Sequence, residues 1–243
     1  MPMVSERRFI SHIQANWNSK VGSMNKQWSE MNRTMQLQLS KAETFPFGID
    51  MLLELRRLLM ERVRQFRREL SADGFSAQPY LKAKGYHNKT IAYSLWHVFR
   101  IEDIVAHTLI ADDEQVFFKG DYQRRIDSPI ITTANELVGE EIGGFSRKLS
   151  IDGLYDYIYE VDASTTQILR TLGYGDAKAK VSDEKRRKLE MLHVVSDDEN
   201  ARWLIDYWCT KDVRGLIQMP LSRHWIMHIE ACQRIKDRLS SVI

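Results

Sequence analysis

The sequence predicts an all-α chain built on four long helices packed as a bundle, with a helical arm before them and shorter helices ahead of the last. Two observations carry this. Apolar residues recur every three or four positions through long stretches, the helical period, and nowhere do they alternate as strand residues do. Only 12 Gly and 5 Pro punctuate 243 residues, too few for the many turns of an all-β chain. The balance of 43% hydrophobic and 28% charged residues suits one globular domain with additions, so residues 1–44 are read as the arm and 45–243 as the bundle domain.

In the arm, Ile10, Ile13, Trp17, Val21, Met24, Trp28, Met31 and Met35 fall at helical spacing in a polar background. An amphipathic helix packing on the bundle or on a second copy is expected. Phe45-Pro46-Phe47-Gly48 marks a boundary. Ile49, Leu52, Leu55, Leu59, Val63, Phe66 and Leu70 then form the stripe of the first long helix, which ends near Ser71-Ala72-Asp73-Gly74. A loop through Pro79 and Gly85 leads to Thr90, a natural N-cap. Ile91, Leu95, Val98, Ile101, Val105 and Leu109 describe the second helix. Asp127-Ser128-Pro129 and Gly143-Gly144 are read as breaks. Ser150 caps the third helix, where Leu154, Ile158, Val161, Thr165, Ile168 and Leu172 make a coiled-coil-like seam ended by Gly173 and Gly175. Residues 182–214 hold one or two short charged helices. Pro220 precedes the fourth long helix, with Trp225, His228, Cys232, Ile235 and Leu239 facing inward.

The charge pattern excludes several functions. The formal net charge is only +2, with no concentrated basic face of the kind that binds nucleic acid. Arg56, Arg57, Arg62, Arg64, Arg67 and Arg68 are interleaved with Glu54, Glu61 and Glu69 and read as a solvated helix face. Two cysteines make no disulfide scaffold, no signal-peptide pattern opens the chain, and no apolar run approaches the roughly 20 residues of a membrane span. A cytoplasmic protein that binds neither membrane nor nucleic acid is expected.

The histidines carry the chemistry. His224 and His228 lie four residues apart, one turn apart on one helix face. Two imidazoles so placed can converge on one ion, and the same spacing equally marks two half-buried histidines of an amphipathic helix. His97 sits midway along the strongly apolar second helix, on the face of Tyr93, Ile101 and Ile104, where a lone histidine is commonly a satisfied core residue. His107 lies about 280° around from it at 100° per residue and is expected at the surface.

The segment Thr90-Ile91-Ala92-Tyr93-Ser94-Leu95-Trp96-His97-Val98-Phe99-Arg100-Ile101-Glu102-Asp103 resembles the second-helix signature of the DinB/YfiT-like superfamily, in which a histidine follows a short apolar, Trp-containing run. Met219-Pro220-Leu221-Ser222-Arg223-His224-Trp225-Ile226-Met227-His228 resembles that family's last-helix His-x-x-x-His element. The resemblance spans residues 45 to 240 and departs from compact members in the arm and in residues 175–219. It implies a four-helix bundle with a divalent metal, zinc or nickel, on His97, His224 and His228. It also implies an enzyme in which the metal activates a low-molecular-weight thiol, such as mycothiol or bacillithiol, for attack on an electrophile, or one that catalyses hydrolysis. A non-enzymatic bundle with a structural or partner-binding metal is the competing expectation. Tyr93, one turn before His97, and Arg100, close to it in angle, are the candidate substrate contacts, with core packing and pairing to a neighbouring helix as alternatives. Glu102 and Asp103 are expected to face solvent or to support the ligands. Cys232 is left outside the site as a small buried hydrophobe. The Trp- and Met-bearing arm, together with the family's habit of self-association, makes a homodimer the expected assembly.

Overall fold

The computed structural model describes residues 25–241. The described residues form helices joined by short connections, with no strand among them and a single isolated bridge between Lys180 and Asp212. None of these helices is long and apolar enough to cross a membrane.

Helix α1, residues 25–38, is the described part of the arm. Its Trp28, Met35 and Leu39 just beyond it are buried, and Met31 packs beside them. The predicted stripe therefore continues into the core, while Ile10, Ile13, Trp17, Val21 and Met24 lie outside the described residues. Helix α2, Phe45–Glu69, carries Pro46 in its first turn, where the missing N–H has no helical partner to lose. It buries the predicted stripe from Ile49 to Phe66. After the short α3, Ala72–Ser76, Thr90 caps α4, Ile91–Asp103: its hydroxyl accepts the Tyr93 N–H at 3.0 Å.

Every residue of α4 is buried. The helix widens into a π-helical stretch, Ile104–Ala111, which ends at Asp112 in the left-handed region. Lys185 donates to the Leu109 and Ile110 carbonyls at 3.0 and 2.9 Å, satisfying acceptors that a helix end leaves open. Three short helices follow, α5 (Val116–Lys119), α6 (Tyr122–Ile126) and α7 (Glu140–Lys148). Gly143-Gly144, read as a break, lies inside α7. Gly143 is buried there, and a side chain would meet Arg147 and Gln78 at 3.2 and 3.4 Å, so the glycine reflects close packing and not a chain turn.

Ser150 caps α8, Ile151–Thr171, as expected, and Leu154, Ile158, Val161 and Thr165 are buried along it. The excursion after α8 contains α9 (Tyr174–Ala177), α10 (Asp183–Met191), α11 (Glu199–Cys209) and α12 (Val213–Gln218). A π-helical turn, Met219–Arg223, then delivers the chain into α13, His224–Ser240. Helix α4 packs against α8 and α13, and α2 packs against the same two. The excursion adds a second apolar cluster, in which Trp208, Leu216 and Ile217 meet Ile101, Ile104 and Val105 from the end of α4.

Two electrostatic expectations change. Arg56 is not on a solvated face: it is 2% exposed and forms a bidentate pair with Glu102 at 2.7 and 2.8 Å, plus a bond to Asp162 at 2.8 Å. Burial alone would lower its pKa, but the two carboxylates outweigh burial and raise it. Glu102 and Asp103 do not reach solvent either. Glu102 is the partner of Arg56, and Asp103 accepts the Val116 and Phe117 N–H groups at 2.9 Å and the Tyr157 hydroxyl at 2.8 Å. The carboxylate of α4 thus caps α5 from a distance in sequence.

Candidate metal centre

The phase of α13 brings His224, His228 and Cys232 to its buried side, and α4 presents His97 to them. The three imidazoles meet. Ring centroids are 5.0 Å apart for His97 and His224, 4.8 Å for His97 and His228, and 4.6 Å for His224 and His228. One nitrogen from each lies within 4.8 Å of the other two. No carboxylate or thiol joins this cluster among the described residues, so the donor set is three neutral rings.

The loop between α6 and α7 orients the α4 side of the site. Four successive carbonyls accept from four side chains of α4: Ile131 from Arg100 at 2.8 Å, Thr132 from Trp96 at 3.1 Å, Thr133 from His97 at 2.7 Å and Ala134 from Tyr93 at 3.0 Å. A carbonyl only accepts, so His97 must carry its proton on Nδ1. Its Nε2 then keeps the lone pair that a ligand needs. Tyr93 stacks nearly parallel on the His97 ring, with centroids 5.6 Å apart and planes 12° apart. The loop is bent to reach all four partners, with Ala134 in the left-handed region at φ 63.

Burial keeps all three rings neutral. It pushes the His97 pKa down to about 4, against the partial support of Thr133 and with further depression by Lys89. His224 is lowered well below the usual histidine range by burial and then by His97. His228 is lowered in the same way by burial, His224, His97 and Lys89. Neutral imidazole is the ligating form. His224 Nδ1 and both nitrogens of His228 are buried without a hydrogen-bond partner. An unmet buried polar group costs about 1–3 kcal/mol, and a cation on one nitrogen of each ring would relieve one of these on His224 or His228.

A pocket of about 260 Å³ opens onto His97 and His224, with Tyr86, Asn135, Trp203 and Tyr207 among its walls. Tyr86 also meets His228 edge-on at 4.7 Å. The two candidate substrate contacts lie elsewhere. The Tyr93 hydroxyl and the Arg100 Nε are bonded to the 131–134 loop. The Arg100 guanidinium also lies 3.4 Å from Asp103 and 4.3 Å from the Phe117 ring centre, and the side chain is fully buried. Both belong to the scaffold that holds α4: Tyr93 takes the core alternative named for it, and Arg100 pairs with the loop and with Asp103 of its own helix, not with a neighbouring helix. Cys232 is a free, buried thiol whose pKa burial pushes up to about 12, in keeping with a hydrophobe's role.

His107 is buried, contrary to expectation. Its Nδ1 meets Asp113 at 2.6 Å and its Nε2 meets the Ser164 hydroxyl at 3.0 Å. The order serine, histidine, carboxylate resembles a nucleophile relay. Ser164, however, stands inside α8, where backbone N–H groups are committed to the helix and none remains to bind an oxyanion. The trio ties α8 to the π-helical stretch. Comparison of the chain with models of protein families and with curated proteins gives no match.

Proposed function

We propose that this chain is a metal-dependent four-helix bundle of the DinB-like kind, holding one divalent cation, zinc or nickel, on His97, His224 and His228. In this reading it activates a low-molecular-weight thiol for transfer to an electrophile. The observation that carries the reading is the convergence of three buried, neutral histidines, of which His224 and His228 hold ring nitrogens without a protein partner while Thr133 leaves His97 Nε2 free to ligate. Three protein ligands are the number typical of catalytic sites, which keep one position for water or substrate. When bound, such an ion acts as a Lewis acid that stabilises a thiolate or lowers the pKa of water.

The protein's own contribution is positional. Thr133 fixes the His97 tautomer, burial excludes protons from the three rings, and the adjoining pocket gives a ligand access to His97 and His224. Among the described residues its walls include no Asp or Glu to serve as a general base. That favours thiol transfer, where the nucleophile arrives with the ligand, over hydrolysis, where a base would activate water. A cytoplasmic setting belongs to the same proposal and agrees with two free cysteines.

The test is elemental analysis of protein purified without a polyhistidine tag and reconstituted with zinc or nickel. About one equivalent per chain is expected, and none after replacing both His224 and His228 by Ala. Undiminished metal in that double variant removes the reading. Self-association is proposed separately. Because Trp28 and Met35 already pack into their own chain, the appropriate check is light scattering on the full chain and on a version lacking residues 1–24. A full chain that is monomeric at every concentration rules it out.

A further inference from the structure

We propose that the pocket beside the three histidines takes a small, uncharged, largely apolar molecule, best a thiol on a single substituted aromatic ring. The proposal rests on the reading of the histidines as a metal centre and adds to it the class of ligand that reaches the metal.

Size and wall chemistry both point this way. The pocket is about 260 Å³, larger than the roughly 150 Å³ that encloses a benzene ring and below the usual ~300–1,000 Å³ of drug-sized ligands. Trp203, Tyr207 and Trp208 supply aromatic surface, and Ile101, Leu204 and Met219 supply aliphatic surface. Among the described residues, no Asp, Glu, Lys or Arg stands in the wall. With the thiol sulfur at the metal, a charged group elsewhere on the ligand would lose its hydration there without gaining a counter-ion from these walls.

Trp203 is the most accessible of the described wall residues, 51% exposed. Its indole N–H donates to the Asn200 carbonyl of the same helix at 2.9 Å, so its polar edge is spent and its ring remains for packing. It meets Tyr207 edge-on, with centroids 5.7 Å apart. This is how neighbouring rings make an aromatic receptor. Asn135 is the one side-chain amide in the wall among the described residues. Its Oδ1 accepts the Thr133 hydroxyl at 2.8 Å, which leaves its NH2 group to donate to a single acceptor on the ligand. Thiols carrying sugars or amino-acid groups, which the sequence resemblance implies, would need partners that this wall lacks.

The experiment uses the full chain loaded with cobalt(II), whose sulfur-to-cobalt absorption reports thiol binding. Cobalt content is measured first. The probes are para-thiocresol and para-mercaptobenzoate, which share a ring and a thiol and differ by a carboxylate. Para-thiocresol is expected to bind at least about tenfold more tightly. Trp203→Ala should weaken para-thiocresol severalfold with cobalt content unchanged, and Trp203→Arg should narrow or reverse the preference. Equal or tighter binding of para-mercaptobenzoate by the unaltered protein, or bound cobalt with no thiol signal, overturns this inference and leaves the metal centre standing. A chain that takes up no cobalt removes both, and the metal analysis shows this before any thiol is added.

Discussion

Arg56 is the single side chain on which two carboxylates depend. Replacing it with Ala leaves Glu102 fully buried without its cation and Asp162 without its bond. Loss of one partner from a buried pair costs about 3–5 kcal/mol, so Arg56→Ala should lower the midpoint of denaturant unfolding by that equivalent. A loss below about 1 kcal/mol, the scale of an exposed pair, would show that the pair is solvated. Composition grouped Arg56 with its charged neighbours, yet its position held the clue. It lies four residues after Leu52 and seven after Ile49, on the apolar stripe of α2, and Glu102 lies likewise four after Val98. Opposite charges interrupting the apolar faces of two helices are the sequence mark of a buried pair. Part of the histidine cluster was legible for a related reason, since the i, i+4 spacing sets His224 and His228 on one helix face, while His97 was joined to them by the family resemblance. Arg100 and Tyr93 were not, because their partners are backbone carbonyls, which no side-chain pattern encodes.

Helix α4 explains why face arithmetic failed for His107, Glu102 and Asp103. An apolar stripe predicts an exposed opposite side only when the helix has one, and α4 is enclosed by α3, α7, α8 and α13. A helix apolar nearly all round is a core helix, and the π-helical widening after Asp103 shifts side-chain phase further. The short elements α5 and α6 left no periodic trace, because four or five residues do not complete a readable repeat. Packing there is nonetheless strict. A β-carbon on Gly153, in the first turn of α8, would collide with the backbone carbonyl of Arg125. Gly153→Ala should therefore push α6 off α8 and destabilise the protein by about 1–3 kcal/mol, read by thermal unfolding. A neutral or stabilising effect would show that the two elements part readily.

For the whole molecule, the order of long helices was legible because each carries three or more turns of apolar repeat. The pocket was not, because its aromatic wall comes from α11, inside an excursion whose charged sequence gives no sign of where it packs. The fold and the site are coupled through the histidines. His97 titrates near 4 in the folded chain, against an ordinary 6.5. Between those values the unfolded chain takes up a proton that the folded chain refuses. Stability is then complete above about pH 6.5 and falls as the solution is acidified toward pH 4. Protons compete with an ion for the same nitrogens only where the folded chain accepts them, so acid should release metal below about pH 4 or as the chain unfolds. Acid alone does not separate a metal centre from buried neutral histidines, because both weaken in the same direction. A chelator at neutral pH does separate them. The most direct measurement is thermal unfolding of reconstituted, tag-free protein at neutral pH, with and without chelator, with metal content followed in the same samples. A ligand bound only to the folded state stabilises it, so removal of about one equivalent of metal should lower the melting temperature by several degrees, and re-addition should restore it. Reconstituted protein that holds no metal, or identical melts after its metal has demonstrably left, would contradict the account.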